Sequence, residues 1–324
     1  MAITTVSNRS FIEAEQYSDF ILENLSDGLL PGGFYRNVSD FGVGEVLNIK
    51  TIGEAQIQEV EEDAPIKFSP IETGEVELRI SEYVGDGWYV TDKFRQDASQ
   101  VEQLLSKRGA EANRAIQEYF ETKALQTLAD AHTNANANAI NGFAHRIVAS
   151  GTNETAKLED LIKIRLAFQK AEAPKYGWIG IVDPIVEATF NLTYNIVSGT
   201  GDLAANPTYQ MINEAGMTGK GTSFVVNLYG FDIITSNRLP TAAAGALGDG
   251  TDTVAPAGVT NIFMCIADDH TKPLMAAWRQ APKVEGERNA KQKRDEFSVT
   301  ARFGFGIQRK DTLVTYCTSA VAYK

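Results

Sequence analysis

The stretch Glu75-Val-Glu-Leu-Arg-Ile-Ser-Glu-Tyr83, followed by a long helical pattern that opens at Ser99, decides how this chain is read. In the first segment Val76, Leu78 and Ile80 share one face, and Glu77, Arg79 and Ser81 share the other. That period of two marks a half-buried strand. Val46-Leu-Asn-Ile-Lys-Thr-Ile52 reads as its partner. Between them lies Glu59-Val-Glu-Glu-Asp-Ala-Pro65, whose crowded carboxylates and proline suit a solvated tip rather than a sheet interior. A two-stranded ribbon is marginal in water, so the rest of the chain or a neighbour must supply a surface for it.

The helical pattern runs from Ser99 to about Ala131. Ser99 is placed as N-cap with Glu102 three positions on, the capping-box arrangement. Val101, Leu104, Leu105, Ala112, Ala115, Ile116, Tyr119 and Leu128 recur at spacings of three and four and predict the buried face. Glu102, Lys107, Arg108, Glu111, Arg114, Glu118, Glu121 and Lys123 fall on the other faces. Some thirty residues make a rod of roughly 45–50 Å. The asparagine-rich run after His132 ends it, because asparagine competes for backbone hydrogen bonds.

Outward from this core, residues 1 to about 40 read as an arm with one short helix near Phe11 to Leu25. Residues 150–270 read as an α/β unit. Its helix carries Leu161, Ile164, Phe168 and Ala171, and Trp178-Ile-Gly-Ile-Val182 is a buried strand. Asp183-Pro184 then opens a second helix as N-cap and first helical residue. Strands are expected at 223–228, 231–235 and 261–266, with a flexible surface loop at 241–259. Near the end, Phe297, Val299, Ala301, Phe303, Phe305 and Ile307 alternate with Ser298, Thr300, Arg302, Gly304 and Gly306. This predicts a long antiparallel strand whose glycines let another backbone approach closely. A charged loop, Glu285 to Glu296, is expected before it, and a final strand at 313–317.

The 324 residues are 43% hydrophobic and 22% charged, ordinary for a globular chain with one large or two medium domains. A net charge of −12 argues against wrapping nucleic acid, which needs clustered Lys and Arg. No signal-peptide pattern and no bilayer-length apolar run occurs, which predicts a soluble protein made in a cytosol with no membrane partner. Cys265 and Cys317 read as buried, reduced thiols.

The sequence carries no recognised catalytic, metal or cofactor motif. His132, His145 and His270 have no metal-type spacing, and Asp268-Asp-His270 reads as a polar loop. Gly216-Met-Thr-Gly-Lys-Gly-Thr222 departs twice from a phosphate loop, and Gly248-Asp-Gly-Thr-Asp252 lacks the ligand series of a calcium loop. The carboxylates at 59–63 are solvating charge. No catalytic, cofactor or metal residue is nominated.

The order of parts, with Trp178-Ile-Gly-Ile-Val-Asp-Pro184, Gly230-Phe-Asp-Ile-Ile-Thr-Ser-Asn-Arg-Leu-Pro240 and Arg302-Phe-Gly-Phe-Gly-Ile-Gln-Arg-Lys-Asp311, resembles tailed-phage major capsid proteins of the Hong Kong ninety-seven coat fold. The resemblance covers essentially the whole chain. It implies an α+β fold with an N-terminal arm (1–40), an extended loop (41–95), a peripheral domain with the spine helix (96–154 and 272–308) and an axial domain (155–271 and 309–324). It implies self-assembly into hexamers and pentamers of an icosahedral shell around double-stranded DNA, in the virion after assembly in the host cytoplasm. Portal, scaffolding and decoration proteins are the further partners, and the short arm points to a separate scaffolding protein. The charged residues expected at subunit contacts are Glu59, Glu61, Glu62, Asp63 and Lys67 on the loop, and Arg288, Lys291, Lys293 and Arg294 before the long strand. The Lys–Asn cross-link of some relatives is not carried over, since Lys67 has no matched Asn. Two other readings stand beside this one: an encapsulin-type nanocompartment shell of the same fold, and a soluble α/β enzyme with an acidic binding loop.

Overall fold

A computed structural model describes residues 30–319 apart from 31, 40–43, 54–56, 58, 60–67, 69, 98–100, 133–137, 198–226, 243–244, 247–253 and 256. The helix expected near residues 11–25 and the cap at Ser99 lie outside the described residues. The strands are β1 (36–37), β2 (46–52), β3 (73–91), β4 (139–140), β5 (143–144), β6 (146–148), β7 (178–182), β8 (227–228), β9 (231–235), β10 (241–242), β11 (245–246), β12 (254–255), β13 (258–265), β14 (274–289), β15 (294–307) and β16 (313–319). The helices are α1 (92–97), α2 (101–130), α3 (158–170) and α4 (184–197).

Two sheets carry the fold. One runs β1-β14-β15-β3-β2, antiparallel except for β1 on β14. The other runs β6-β16-β13-β7-β9-β8, with β10 on β13. The ribbon is therefore not a free hairpin. Its second strand pairs with β15 from Arg294↔Thr91 to Phe305↔Arg79, so the chain supplies much of the packing surface itself.

A bulge governs β3. Between Phe303↔Glu82 and Phe305↔Arg79, β15 advances two residues while β3 advances three. The extra residue reverses which face its side chains take. Val84 and Trp88 pack with α2, whereas Leu78 and Ile80 pack on the far side with Met275 and Ala277. The close approach expected at the glycines of 297–307 occurs here, against the chain's own β3. A Cβ at Gly304 would lie 2.1 Å from the Arg79 carbonyl oxygen, and one at Gly306 2.8 Å from that of Glu77.

The spine helix α2 joins the sheets. Its buried side chains are Val101, Ala112, Ile116, Phe120, Glu121, Ala124, Leu125, Leu128 and Ala129. The expected face is thus corrected: Leu104 and Tyr119 are exposed, and Phe120 and Glu121 turn inward. The physical reason is the stride of four through 112, 116, 120, 124 and 128. Each step overshoots a turn by about 40°, so the buried stripe rotates by roughly 160° over this length. Ala112, Ile116 and Phe120 meet Val299, Ala301 and Phe303 of the first sheet. Ala124, Leu125 and Leu128 meet Ile179, Ile181, Ile262, Met264 and Leu313 of the second.

The run Trp178–Val182 is buried throughout because its sheet is covered on both faces. Ile179 and Ile181 face α2, while Trp178 and Val182 pack with Leu161, Ile164 and Phe168 of α3 and Phe190 of α4. The cap at Asp183 forms as expected, with Ile185 N–H donating to Oδ2 at 3.0 Å. The charged segment 285–296 is corrected from loop to hairpin: β14 continues to Asn289 and β15 begins at Arg294. Of the expected loop 241–259, the described residues form short strands, β10 on β13 and β11 on β12. The base of the arm is part of the core, since Phe34 is buried and β1 pairs with β14.

Candidate assembly surface

The far end of the ribbon projects past the first sheet. Beyond Phe305↔Arg79, β3 pairs with β2 through Leu47↔Leu78 to Ile52↔Thr73, and Gly53 N–H donates to the Glu72 carbonyl at 2.8 Å. Large apolar side chains stand in the open there: Ile52 at 81% exposure, Ile57 at 99%, Phe68 at 94% and Ile71 at 78%. Isolated exposed apolar residues need no explanation, but four on one projecting ribbon make it the candidate contact surface. Of the charged residues expected on this loop, Glu59 is exposed. Glu61, Glu62, Asp63 and Lys67 lie outside the described residues. The apolar residues that flank the acidic run at 59–63 are the sequence signal for this surface.

The second set of expected contact residues is divided by the hairpin. Arg288 reaches Asp92 at 2.7 Å and Asp295 at 3.0 Å, tying β14 to the start of α1 and to β15. The guanidinium holds the Asp92 carboxyl below the ordinary carboxylate range. Arg294 donates to Glu296 at 2.6 Å and lies over the Tyr89 ring. Both arginines thus have partners inside the chain. Lys291 and Lys293 stand exposed in the turn 290–293.

An ion-pair network unforeseen in the sequence locks α2 against the turn after β9. Arg238 donates to Glu121 and to Glu118, each at 3.2 Å, and Glu118 also accepts from Arg114 at 2.8 Å. Glu121 accepts the Leu30 N–H at 3.1 Å as well. Nearby, a cavity of about 500 Å³ lies between residues 30–39, α2 and β14, lined by Phe34, Tyr35, Phe120 and Trp278 among others. Its carboxylate, Glu121, is already engaged by Arg238, which suits a structural role rather than acid–base work. Among the described residues no group of three or more His, Cys, Asp or Glu side chains is placed to hold a metal ion. No described helix is long and apolar enough to cross a membrane.

The phage capsid protein family model matches residues 73–316. The chain belongs to the phage capsid protein family. The match takes in the inner strand of the ribbon, the spine helix, β14, β15 and most of the second sheet, and leaves out β1 and β2. As a capsid protein, the chain is a structural component of the virion shell that associates with copies of itself into capsomers, not an enzyme. Its fold is similar to that of the mature capsid of bacteriophage PhiM1, at TM-score 0.68 and 14% identity over 96% of this chain and 93% of that one. The capsid of cyanophage P-SCSP1u aligns at TM-score 0.66 and 12% identity, over 96% and 94%. A chain of Mycobacterium phage Che8 aligns at TM-score 0.61 and 15% identity, over 94% and 97%. No curated protein matches in sequence. At such identities the structures speak for the fold, and the nanocompartment and enzyme readings are not favoured.

Proposed function

We propose that this capsid protein builds an icosahedral shell of hexamers and pentamers that encloses double-stranded DNA. In this reading the five-stranded sheet and α2 form the peripheral domain and the seven-stranded sheet forms the axial domain, with boundaries near 96–154 and 272–308 for the one and 155–271 and 309–324 for the other. Residues 1–40 serve as the arm and 41–95 as the extended loop. The observation that carries it is the ribbon end, where Ile52, Ile57, Phe68 and Ile71 are open to solvent on a two-stranded projection. Burying such side chains on an adjacent subunit supplies the packing that the ribbon lacks alone. The charged residues proposed for that contact are Glu59, Glu61, Glu62, Asp63 and Lys67. Lys291 and Lys293 offer positive charge at the hairpin turn, with Arg288 and Arg294 holding the turn in shape.

The net charge of −12 fits a container that does not bind the genome tightly. A portal, a scaffolding protein and decoration proteins complete the set of partners, and assembly takes place in the host cytoplasm. The test is particle size and content. Purified protein studied by sedimentation and negative-stain microscopy should form megadalton hollow shells or capsomers, and particles from infected cells should contain DNA. A monomer or dimer under all conditions would overturn the shell, and particles filled with an enzyme would favour the nanocompartment.

A further inference from the structure

Two buried histidines take no part in the assembly surface. His132 lies in the turn that closes α2, and His145 connects β5 to β6. Both are fully buried, with ring centroids 6.0 Å apart. His132 Nε2 lies 3.0 Å from the Leu313 carbonyl, and His145 Nδ1 lies 3.1 Å from the Phe143 carbonyl. A carbonyl only accepts, so each of these nitrogens carries the proton, and a neutral imidazole has one N–H. His132 Nδ1 and His145 Nε2 are therefore bare acceptors, and both are buried without a hydrogen-bond partner. Two orphaned acceptors on neighbouring rings are a costly arrangement for a core.

The backbone around them forms the joint between the spine helix and the seven-stranded sheet. The Asn138 side-chain amide donates to the His132 carbonyl at 2.6 Å, and His145 N–H donates to the Asn138 carbonyl at 2.6 Å. Thr315 N–H of β16 then donates to the His145 carbonyl at 2.9 Å. We propose that His132 and His145 form a proton-binding site that keeps this joint closed while both rings are neutral and loosens it when a proton is taken up. A proton arriving at either ring creates a buried cation, and the Asn138 side chain beside His132 and the Asp311 carbonyl and carboxylate beside His145 offset only part of its lost hydration, so water must be admitted.

The surrounding charges set the order. Burial lowers His145 too, but the Phe143 carbonyl and Asp311, in the turn between β15 and β16, favour its charged form and oppose that shift. Burial first, and then a charged His145 and Lys310, disfavour the charged form of His132 and together lower it to about 4. Asp130, on the last turn of α2, is exposed and accepts from Gln126. Arg146 engages the Cys317 thiol. His145 is thus the first to take a proton as pH falls.

Hydrogen exchange read by mass spectrometry on the full-length chain, corrected for intrinsic rates, tests this. Between pH 7 and pH 4.5, peptides covering 126–132, 138–148 and 313–318 should lose about tenfold or more in protection while α3 keeps its own. The variant His132→Gln/His145→Asn keeps an N–H donor toward Leu313 and Phe143 but binds no proton, and its joint should stay protected. Equal protection of the wild type at both pH values overturns the proposal, as does an equal loss in the variant. If the variant does not fold, the wild-type midpoint decides. A midpoint between the depressed value of about 4 and the ordinary histidine value of 6.5 supports the site, and one below 4, where carboxylates titrate, overturns it.

Discussion

Replacing Ile57 and Phe68 together by serine separates assembly from folding. Both side chains are almost wholly exposed in the single subunit, at 99% and 94%, so they add little to its own stability. Exposed substitutions of this kind usually change stability by less than about 0.5 kcal/mol. If a neighbouring subunit buries them, each contributes about 1.5–3 kcal/mol. Taking about 2 kcal/mol each, the pair supplies roughly 4 kcal/mol per contact, close to a thousandfold in the concentration needed for assembly. The assay is sedimentation velocity over a concentration series, run beside urea denaturation of the unassembled chain. The expected result is an unchanged urea midpoint with assembly shifted by at least about a hundredfold. Assembly at the wild-type concentration would show that the ribbon end is not buried in the shell. Loss of more than about 1 kcal/mol in the subunit would show that it belongs to the chain's own core.

Gly304→Ala places a Cβ against the Arg79 carbonyl and should cost about 1–3 kcal/mol by urea denaturation, with faster hydrogen exchange in β3; unchanged stability would mean the bulge yields without strain. Glu121→Ala removes the acceptor shared by Leu30 and Arg238 and should destabilise the chain by about 3 kcal/mol, whereas Glu121→Gln, which keeps an acceptor for Leu30, should cost less; equal stability of both with wild type would refute the lock. The pH dependence follows from His132, whose folded value of about 4 lies below the unfolded 6.5. The unfolded chain then binds more protons across that interval, so stability is complete above pH 6.5 and falls on acidification toward pH 4, by about 3 kcal/mol at most from this group. The lowered carboxyl of Asp160 adds its loss only below its unfolded value of 3.8. A flat stability between pH 6.5 and 4, measured by urea denaturation at fixed salt, would contradict the sign.

Much of the fold was legible in local pattern. The alternation of Val76, Leu78 and Ile80, the run Trp178–Val182, the Asp183-Pro184 helix start and the long strand ending at Ile307 all carry their structure in their own spacing. Such signals survive because period two and period 3.6 are fixed by backbone geometry. The charged segment 285–296 misled because sheets tolerate charge on exposed hairpin ends, where Arg288 and Asp92 pair across elements. Of the candidate site, the sequence showed an acidic tip but not which of its apolar residues lie uncovered.

By itself, then, the sequence determined the ribbon strands, the spine helix, the Trp178–Val182 strand with the helix start after it, and the long strand ending at Ile307. The tertiary structure alone decided three things. It gave β3 its bulge, which sends Val84 and Leu78 to opposite faces. It turned the stripe of α2 from one sheet to the other, carrying Phe120 and Glu121 inside. It brought His132 beside His145 and Arg238 beside Glu121, more than a hundred positions away in the second case. These depend on contacts between segments far apart in the chain, and no local period encodes such a contact.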